Sequence, residues 1–395
     1  MSKLEELLQT FCPDGLLSCT FGQVVNYEQP SKYIVKNTDY NDDYETPVLT
    51  AGQTFVLGYT NETKGIYNAS KESPVIIFDD FTGAFKWVDF PFKVKSSAMK
   101  ILTADETKVT LRYIYHMMGK IAFTSDEHKR LWIGTYSTFK LPLPSLPVQS
   151  EIVRILDNFT ELTAELTAEL TARKKQYEYY RNELLMFGVH EGTDRAVSRN
   201  LGEIAKFVYG YTDKAQENGT ARFIRITDIS EDGTLNPQSA KYVELTEESE
   251  KYLLKKGDLL LARTGATYGK TLYFDSDEPS VYASFLIKII LDNSVIRNRY
   301  YWHFSKSSLY WIQAEKLVSK GGQQQFNANA VSRISVPVPS LEIQDKIVDL
   351  LDNFEAICSD LTSGLPAEIK ARQKQYEYYR DKLLTFQPLE KGGKD

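Results

Sequence analysis

The sequence predicts an α/β protein with a pseudo-two-fold internal repeat. Two mixed α/β domains are separated by two long helices that form an antiparallel coiled coil. Three observations carry this prediction. The segment 142–159, PLPSLPVQSEIVRILDNF, returns at 337–354 as PVPSLEIQDKIVDLLDNF, with 11 of 18 positions identical. The segment 172–187, ARKKQYEYYRNELLMF, returns at 371–386 as ARQKQYEYYRDKLLTF, with 12 of 16 identical. Between the copies lie two stretches of similar size, about 16–144 and 200–339, rich in short β-branched and aromatic runs. The expected segments are a first domain at 1–145, a central helix at 146–187, a second domain at 188–340, and a C-terminal helix and tail at 341–395.

Each element follows from local pattern. Pro144-Ser145 and Pro339-Ser340 are helix starts ahead of an apolar-periodic run. Ile152, Leu156, Phe159, Leu162, Leu166 and Leu170 then recur at spacings of three and four, which is one helix face. A helix over 146–187 would be roughly 60 Å long at 1.5 Å per residue. So long an apolar stripe needs a partner, and the second copy supplies one. That copy is less regular, because Gly364 and Pro366 should break it and Pro366 restart it. Within the helix, Thr-Ala-Glu-Leu occurs twice in tandem, at 163–166 and 167–170. It reads as a plain helix-forming spacer, or as a ruler in which one unit adds roughly 6 Å. Near the start, Glu6-Leu7-Leu8 with Phe11 echoes Glu183-Leu184-Leu185 with Phe187, as though the chain began at the end of a missing helix.

The two intervening domains open alike, with Phe21-Gly22-Gln23-Val24 and Leu201-Gly202-Glu203-Ile204. Runs such as 74–78 (PVIIF), 258–262 (DLLLA) and 285–290 (FLIKII) read as strands. Each domain has one helix-like aromatic stretch near its end, around 111–118 and 300–311. Their interiors resemble each other only weakly, so the layout is variable domain, shared helix, variable domain, shared helix.

Composition limits the functions available. An apolar fraction of 42% and a charged fraction of 25% suit a globular protein with sizeable cores. No apolar run approaches the roughly 20 residues of a membrane span. Three cysteines without C-x-x-C spacing indicate neither a disulfide framework nor a zinc site. The chain reads as cytoplasmic, with no membrane association. Its formal net charge of −6 is awkward for a nucleic-acid binder. The acid lies mainly in the helices: residues 16–145 are net 0 and residues 200–340 net +1, whereas 146–187 and 341–386 carry −2 and −3.

Motifs for catalysis do not assemble. Gly265-Ala-Thr-Tyr-Gly269-Lys270-Thr271 is one residue short of a P-loop and is followed by a strand pattern instead of a helix, so it reads as a tight turn. Asp79-Asp80 beside Lys86 lacks a third carboxylate and also reads as a turn. His116, His128, His190 and His303 look scattered, so no metal site is expected. Neither an Asn/Asp-Pro-Pro-aromatic methylase motif nor a glycine-rich cofactor loop is present. The expectation is a non-catalytic protein without a cofactor of its own.

The repeated Pro-x-Pro-Ser-Leu-x-x-Gln-x-x-Ile-Val-x-x-Leu-Asp motif at 142–157 and 337–352, with Gln-Tyr-Glu-Tyr-Tyr-Arg at 176–181 and 375–380, resembles the specificity (S) subunits of type I restriction-modification systems. Gly257-Asp258-Leu259-Leu260 with Gly265 and Gly269-Lys270 also fits that pattern, whereas the first domain has only Pro47-Val48-Leu49-Thr50-Ala51-Gly52 at the comparable place. The resemblance covers nearly the whole chain. It implies two target-recognition domains, each reading half of a bipartite double-stranded DNA site, held apart by the coiled coil. It further implies docking of two methylase subunits and of restriction/translocase subunits, with S-adenosylmethionine, ATP and Mg2+ on those partners.

Residue type and loop context then nominate the contacts. In the second domain these are Gln323, Gln324, Gln325 and Asn327 in a polar loop before the shared helix, Arg263 and Thr264 beside the glycine turn, and Lys270. In the first they are Thr50, Gln53, Thr82, Lys86, Lys129 and Arg130. Tyr177, Tyr180, Arg181, Tyr376, Tyr379 and Arg380 are candidates for docking the partner subunits. Adjacent helical residues diverge by about 100°, so some of these tyrosines should instead pack on the recognition domains. The competing reading from another class is a protein–protein scaffold built on the repeated helices.

Overall fold

The computed structural model describes residues 3–13, 16–52, 54–121, 130–186, 196–236, 238, 240–319, 325–359 and 364–386. The chain divides into two compact units, Met1–Glu165 with Ile369–Asp395, and Leu166–Glu368. The dividing line falls inside the Thr-Ala-Glu-Leu tandem. Each unit therefore holds one variable domain, a stretch of the central helix and a stretch of the C-terminal helical segment, where the linear reading kept domains and helices apart.

The first unit contains a four-stranded antiparallel sheet in the order Val25–Glu28, Met99–Ala104, Val75–Asp79, Phe85–Val88. The second has the same sheet in the order Ala205–Tyr209, Leu286–Leu291, Leu259–Ala262, Thr271–Tyr273. A three-stranded sheet with one parallel pairing accompanies each: Val56–Thr60, Thr46–Leu49, Lys93–Val94 in one, and Tyr242–Val243, Ala221–Ile224, Ser280–Tyr282 in the other. Apolar runs make the central strands, since Ile76-Ile77-Phe78 and 259–262 are buried on both faces. The domains that look only loosely alike in sequence are thus the same fold twice.

A two-stranded antiparallel pair closes each domain where the chain enters and leaves it, Ser18–Thr20 with Lys140–Pro142 and Val197–Asn200 with Ser335–Val338. The exit strands run straight into the repeated Pro-Ser helix starts. The central helix spans Leu146–Met186, as its periodicity predicts. The second copy is two helices, Leu341–Ser359 and Leu365–Leu383, with Pro366 in the first turn of the latter. Among the described residues no helix is long and apolar enough to cross a membrane.

Candidate nucleic-acid interface

The shared helices hold the variable domains through one set of contacts made twice. In the first unit the aromatic helix is Leu111–Lys120, capped by the Thr110 hydroxyl, which accepts from the Tyr113 N–H. In the second it is Asn298–Ser305. The glutamine of the repeated motif seats the start of each. Gln149 accepts from the Thr110 N–H and donates to the Lys108 and Pro144 carbonyls at 2.8–3.0 Å. Gln344 accepts from the Arg297 N–H and donates to the Val295 and Pro339 carbonyls at 2.8–2.9 Å. Both amides are fully buried, so three polar partners apiece are needed to offset their desolvation.

About two turns further on, the motif's aspartate takes an arginine and a histidine from the domain helix. Asp157 accepts from Arg112 Nε at 2.7 Å and from His116 Nε2 at 2.8 Å. Asp352 accepts from Arg299 Nε at 2.8 Å and from His303 Nε2 at 2.7 Å. A carboxylate only accepts, so each imidazole presents N–H at Nε2 and a lone pair at Nδ1. A tyrosine of the other repeated segment donates to that lone pair: Tyr376 to His116 at 2.9 Å, Tyr177 to His303 at 3.2 Å. Burial pushes both imidazoles down, His303 to about 4, in spite of the aspartates beside them. The carboxyls of Asp157 and Asp352 resist burial and stay below their ordinary value, because the histidine and arginine donate to them. Two of the four histidines are therefore equivalent members of one network, correcting their reading as scattered. The Arg-Tyr-x-aromatic-His pattern at 112–116 and 299–303 was the signal for them.

His303, Asp352 and Glu355 bring ligand atoms within 4.8 Å of one another. Arg299 and Lys306 already neutralise the two carboxylates, the latter at 2.7 Å from Glu355. The arrangement is an ion-pair network in its present form.

The tyrosine–arginine segments divide by helix face. Tyr177 is only 7% exposed, and Tyr376 is partly buried with its hydroxyl on His116; both hold the domains, which corrects their nomination as docking residues. Arg380 donates to the Gly119 carbonyl at 2.7 Å, and Arg181 lies 5.3 Å over the Tyr177 ring. Tyr379 stacks on Phe159 within the first unit, and Tyr180 on Phe354 within the second. The most open rings of these segments are Tyr179 and Tyr378, each 61% exposed.

The candidates for reading nucleic acid are unevenly placed. Gln53, Lys129, Gln323 and Gln324 lie outside the described residues. Thr264 is only 3% exposed, its backbone bridged to Gln325, so its hydroxyl is not presented to a ligand. The Asn327 side chain caps the short helix Ala328–Val331 through the Ala330 N–H. Thr50 and Thr82 hydroxyls accept from Gly52 and Ala84 N–H groups within their own turns. Lys86 sits on a strand opposite Ile77, and Arg130 lies 3.9 Å from buried Asp80. Asp79 forms the expected turn, accepting from the Phe81 and Thr82 N–H groups, whereas Asp80 is buried against Lys100 at 3.0 Å. The glycine turn is a hairpin with positive φ at Gly265 and Gly269, leading into strand Thr271–Tyr273. Its Lys270 lines a cleft of about 820 Å3 in the second unit, with Lys174, Arg181 and Lys306.

Arg263 stands apart. Its guanidinium lies 5.2 Å from the Tyr209 ring centre and 5.7 Å from that of Phe285. The Tyr209 hydroxyl accepts from the Ala328 N–H at 3.2 Å, so the helix that Asn327 caps fixes one ring. Gln325 and Asn327 lie on the adjoining stretch of chain, where the Phe326 N–H donates to the Arg263 carbonyl.

Comparison with known proteins agrees with this duplicated architecture. The chain matches the type I restriction modification DNA specificity domain over residues 16–173 and again over 194–371. It is 43% identical over 411 aligned residues to the specificity subunit of an Escherichia coli type I restriction enzyme, covering 98% of this chain and 97% of that one. It is 32% identical to a putative type I restriction enzyme specificity subunit of Haemophilus influenzae, covering 85% and 86%. The S subunit of a type I restriction-modification system from M. genitalium shares the fold at a TM-score of 0.56 and 16% identity, over 93% of this chain and 96% of that one. A chain from a structure concerned with assembly of the type I system does so at 0.58 and 15%, over 94% and 98%. The chain belongs to the family of type I restriction-modification DNA specificity subunits.

Proposed function

We propose that this protein reads a bipartite double-stranded DNA site, one half with each variable domain, and presents that DNA to two methylase subunits and to restriction/translocase subunits. It performs no catalysis itself. S-adenosylmethionine, ATP and Mg2+ belong to the partners, and the complex works in the cytoplasm. The observation that carries the reading is the duplication: one domain fold, held twice by the same glutamine, aspartate, histidine and tyrosine, with different loops on each copy. Constant helices with variable domains suit a reader whose machinery is invariant and whose target is not. Neutral domains hold phosphates weakly alone, so methylase subunits supply much of the backbone contact.

The test is co-purification with a candidate methylase subunit of the host, followed by sequencing of the methylated DNA. Methyladenine at one two-part motif, lost when this chain is omitted, is the expected outcome. No association, or methylation independent of this chain, favours the protein–protein scaffold. In the same assay, deleting residues 163–166 shortens the helix by roughly 6 Å and should bring the half-sites about one or two base pairs closer at 3.4 Å per pair. Unchanged spacing would show that the tandem is a spacer only.

A further inference from the structure

We infer that Arg263 is the guanine-reading residue of the second domain, held for that task between Tyr209 and Phe285. The inference rests on the DNA-binding reading above and names the base and the side chain. Arg263 follows directly on the buried strand Leu259–Ala262, and its backbone is tied on both sides, N–H to the Phe285 carbonyl at 3.1 Å and carbonyl from the Phe326 N–H at 2.8 Å. The guanidinium therefore leaves a rigid point, not a loose loop. Tyr209 and Phe285 flank it and are themselves 41% and 50% exposed, so the cluster lies at the surface. Among the described residues no carboxylate pairs with it, and its buried Nε has no hydrogen-bond partner. An arginine held over two aromatic rings loses part of its freedom, and its fork matches O6 and N7 of guanine in the major groove. The same fork also takes a phosphate bidentately, so the experiment below separates the two.

The first domain supplies an internal contrast. Asp80 occupies the corresponding place, directly after strand Val75–Asp79, with its N–H on the Ala98 carbonyl at 2.9 Å as that of Arg263 is on Phe285. Asp80 is buried and paired with Lys100. At one position of a duplicated fold, one copy has a buried acid paired with a lysine and the other an arginine over two rings, with no carboxylate partner among the described residues. Divergence at that point fits a residue that sets which base is read.

The experiment uses the full chain in complex with its methylase subunits, and compares the wild type with Arg263→Lys and Arg263→Ala by sequencing methylated DNA. With Arg263→Ala, one guanine position in one half-site should become degenerate, with discrimination there falling about ten- to a hundredfold. The other half-site and the spacing should stay as they were. Arg263→Lys should relax the same position less, and Tyr209→Leu, which removes one ring, should relax it too. An unchanged motif in Arg263→Ala overturns the inference. So does uniform weakening across all sequences with the motif intact, which marks a phosphate contact, and so does loss of both half-sites together, which marks a structural arginine. A wild-type complex that methylates no two-part motif overturns the functional reading itself, and this inference with it.

Discussion

The two units fasten their domains to the repeated helices with the same five residues, glutamine, aspartate, arginine, histidine and tyrosine, yet surround them differently. Beyond Asp157 the first unit has Thr160, and beyond His116 it has Gly119, whose carbonyl takes Arg380. At the same two places the second unit has Glu355 and Lys306, a partly enclosed ion pair at 2.7 Å. Lys306 lies 3.5 Å and Arg299 3.9 Å from the centre of the Trp302 ring. Burial raises the Glu355 carboxyl and lowers the Lys306 ammonium, each opposed by the attraction of the other. The glutamine, aspartate and tyrosine of the helices are constant, while the helix position three residues past the aspartate changes together with its domain partner, as Glu355 does with Lys306. A buried ion pair is weak evidence of extra stability, so the second joint is more exacting, not necessarily stronger.

Breaking that pair on one side should give the largest effect. Lys306→Met leaves Glu355 without its main counter-charge and should cost about 3–5 kcal/mol of stability, read as a fall in the urea midpoint of the full chain. The double substitution Lys306→Met with Glu355→Leu should recover most of that loss. A double variant as unstable as the single would show that the pair contributes more than mutual neutralisation.

The pH dependence comes next. His303 is held near 4 when folded, against about 6.5 when unfolded. The unfolded chain thus binds a proton that the folded chain refuses. Stability is complete above about pH 6.5 and falls as pH drops toward 4, by about 3 kcal/mol in all. Asp352, Arg299, Lys306, Glu355 and Tyr177 all face this ring or its partners, and His116 adds a contribution of the same sign. Urea unfolding at pH 7.5 and pH 5 measures the slope; a flat profile would contradict the neutral imidazoles.

Gln149→Leu and Gln344→Leu each strand buried backbone groups and should cost about 2 kcal/mol. Here the two units should respond alike, because the glutamines make matching bonds. A large difference between them would undo the claim that this half of the joint is constant. Tyr177→Phe and Tyr376→Phe remove one hydrogen bond each and should cost about 1 kcal/mol, with pairwise cycles against the histidines reporting the coupling.

The joint was only partly legible in the chain. Its helical side was plain, since 11 of 18 and 12 of 16 identities mark segments that must meet the same partners twice. The domain side was hidden by divergence: Arg112-Tyr113 and His116 match Arg299-Tyr300 and His303, but the residues between and after them do not. The tyrosines show the limit most clearly. Helical geometry required Tyr177 and Tyr179 to face different ways, and only packing revealed that Tyr177 turns in to His303 while Tyr179 stays open. Choosing DNA-reading residues by type alone also grouped Thr264 and Asn327 with Arg263, although one is buried and another is a helix cap.

The sequence by itself determined the duplicated plan, the helix starts at the Pro-Ser pairs, the break before Pro366 and the family. These rest on local periodicity, backbone chemistry and repetition, all of which are carried within a few turns of chain. Tertiary structure alone decided that both variable domains share one sheet order, that His116 and His303 each bridge an aspartate and a distant tyrosine, and that Arg263 lies over two rings with no carboxylate partner among the described residues. Each of those facts joins residues far apart in sequence, 260 positions in the case of His116 and Tyr376. Which distant partner a buried polar group finds depends on packing of the whole unit, and no local pattern encodes it.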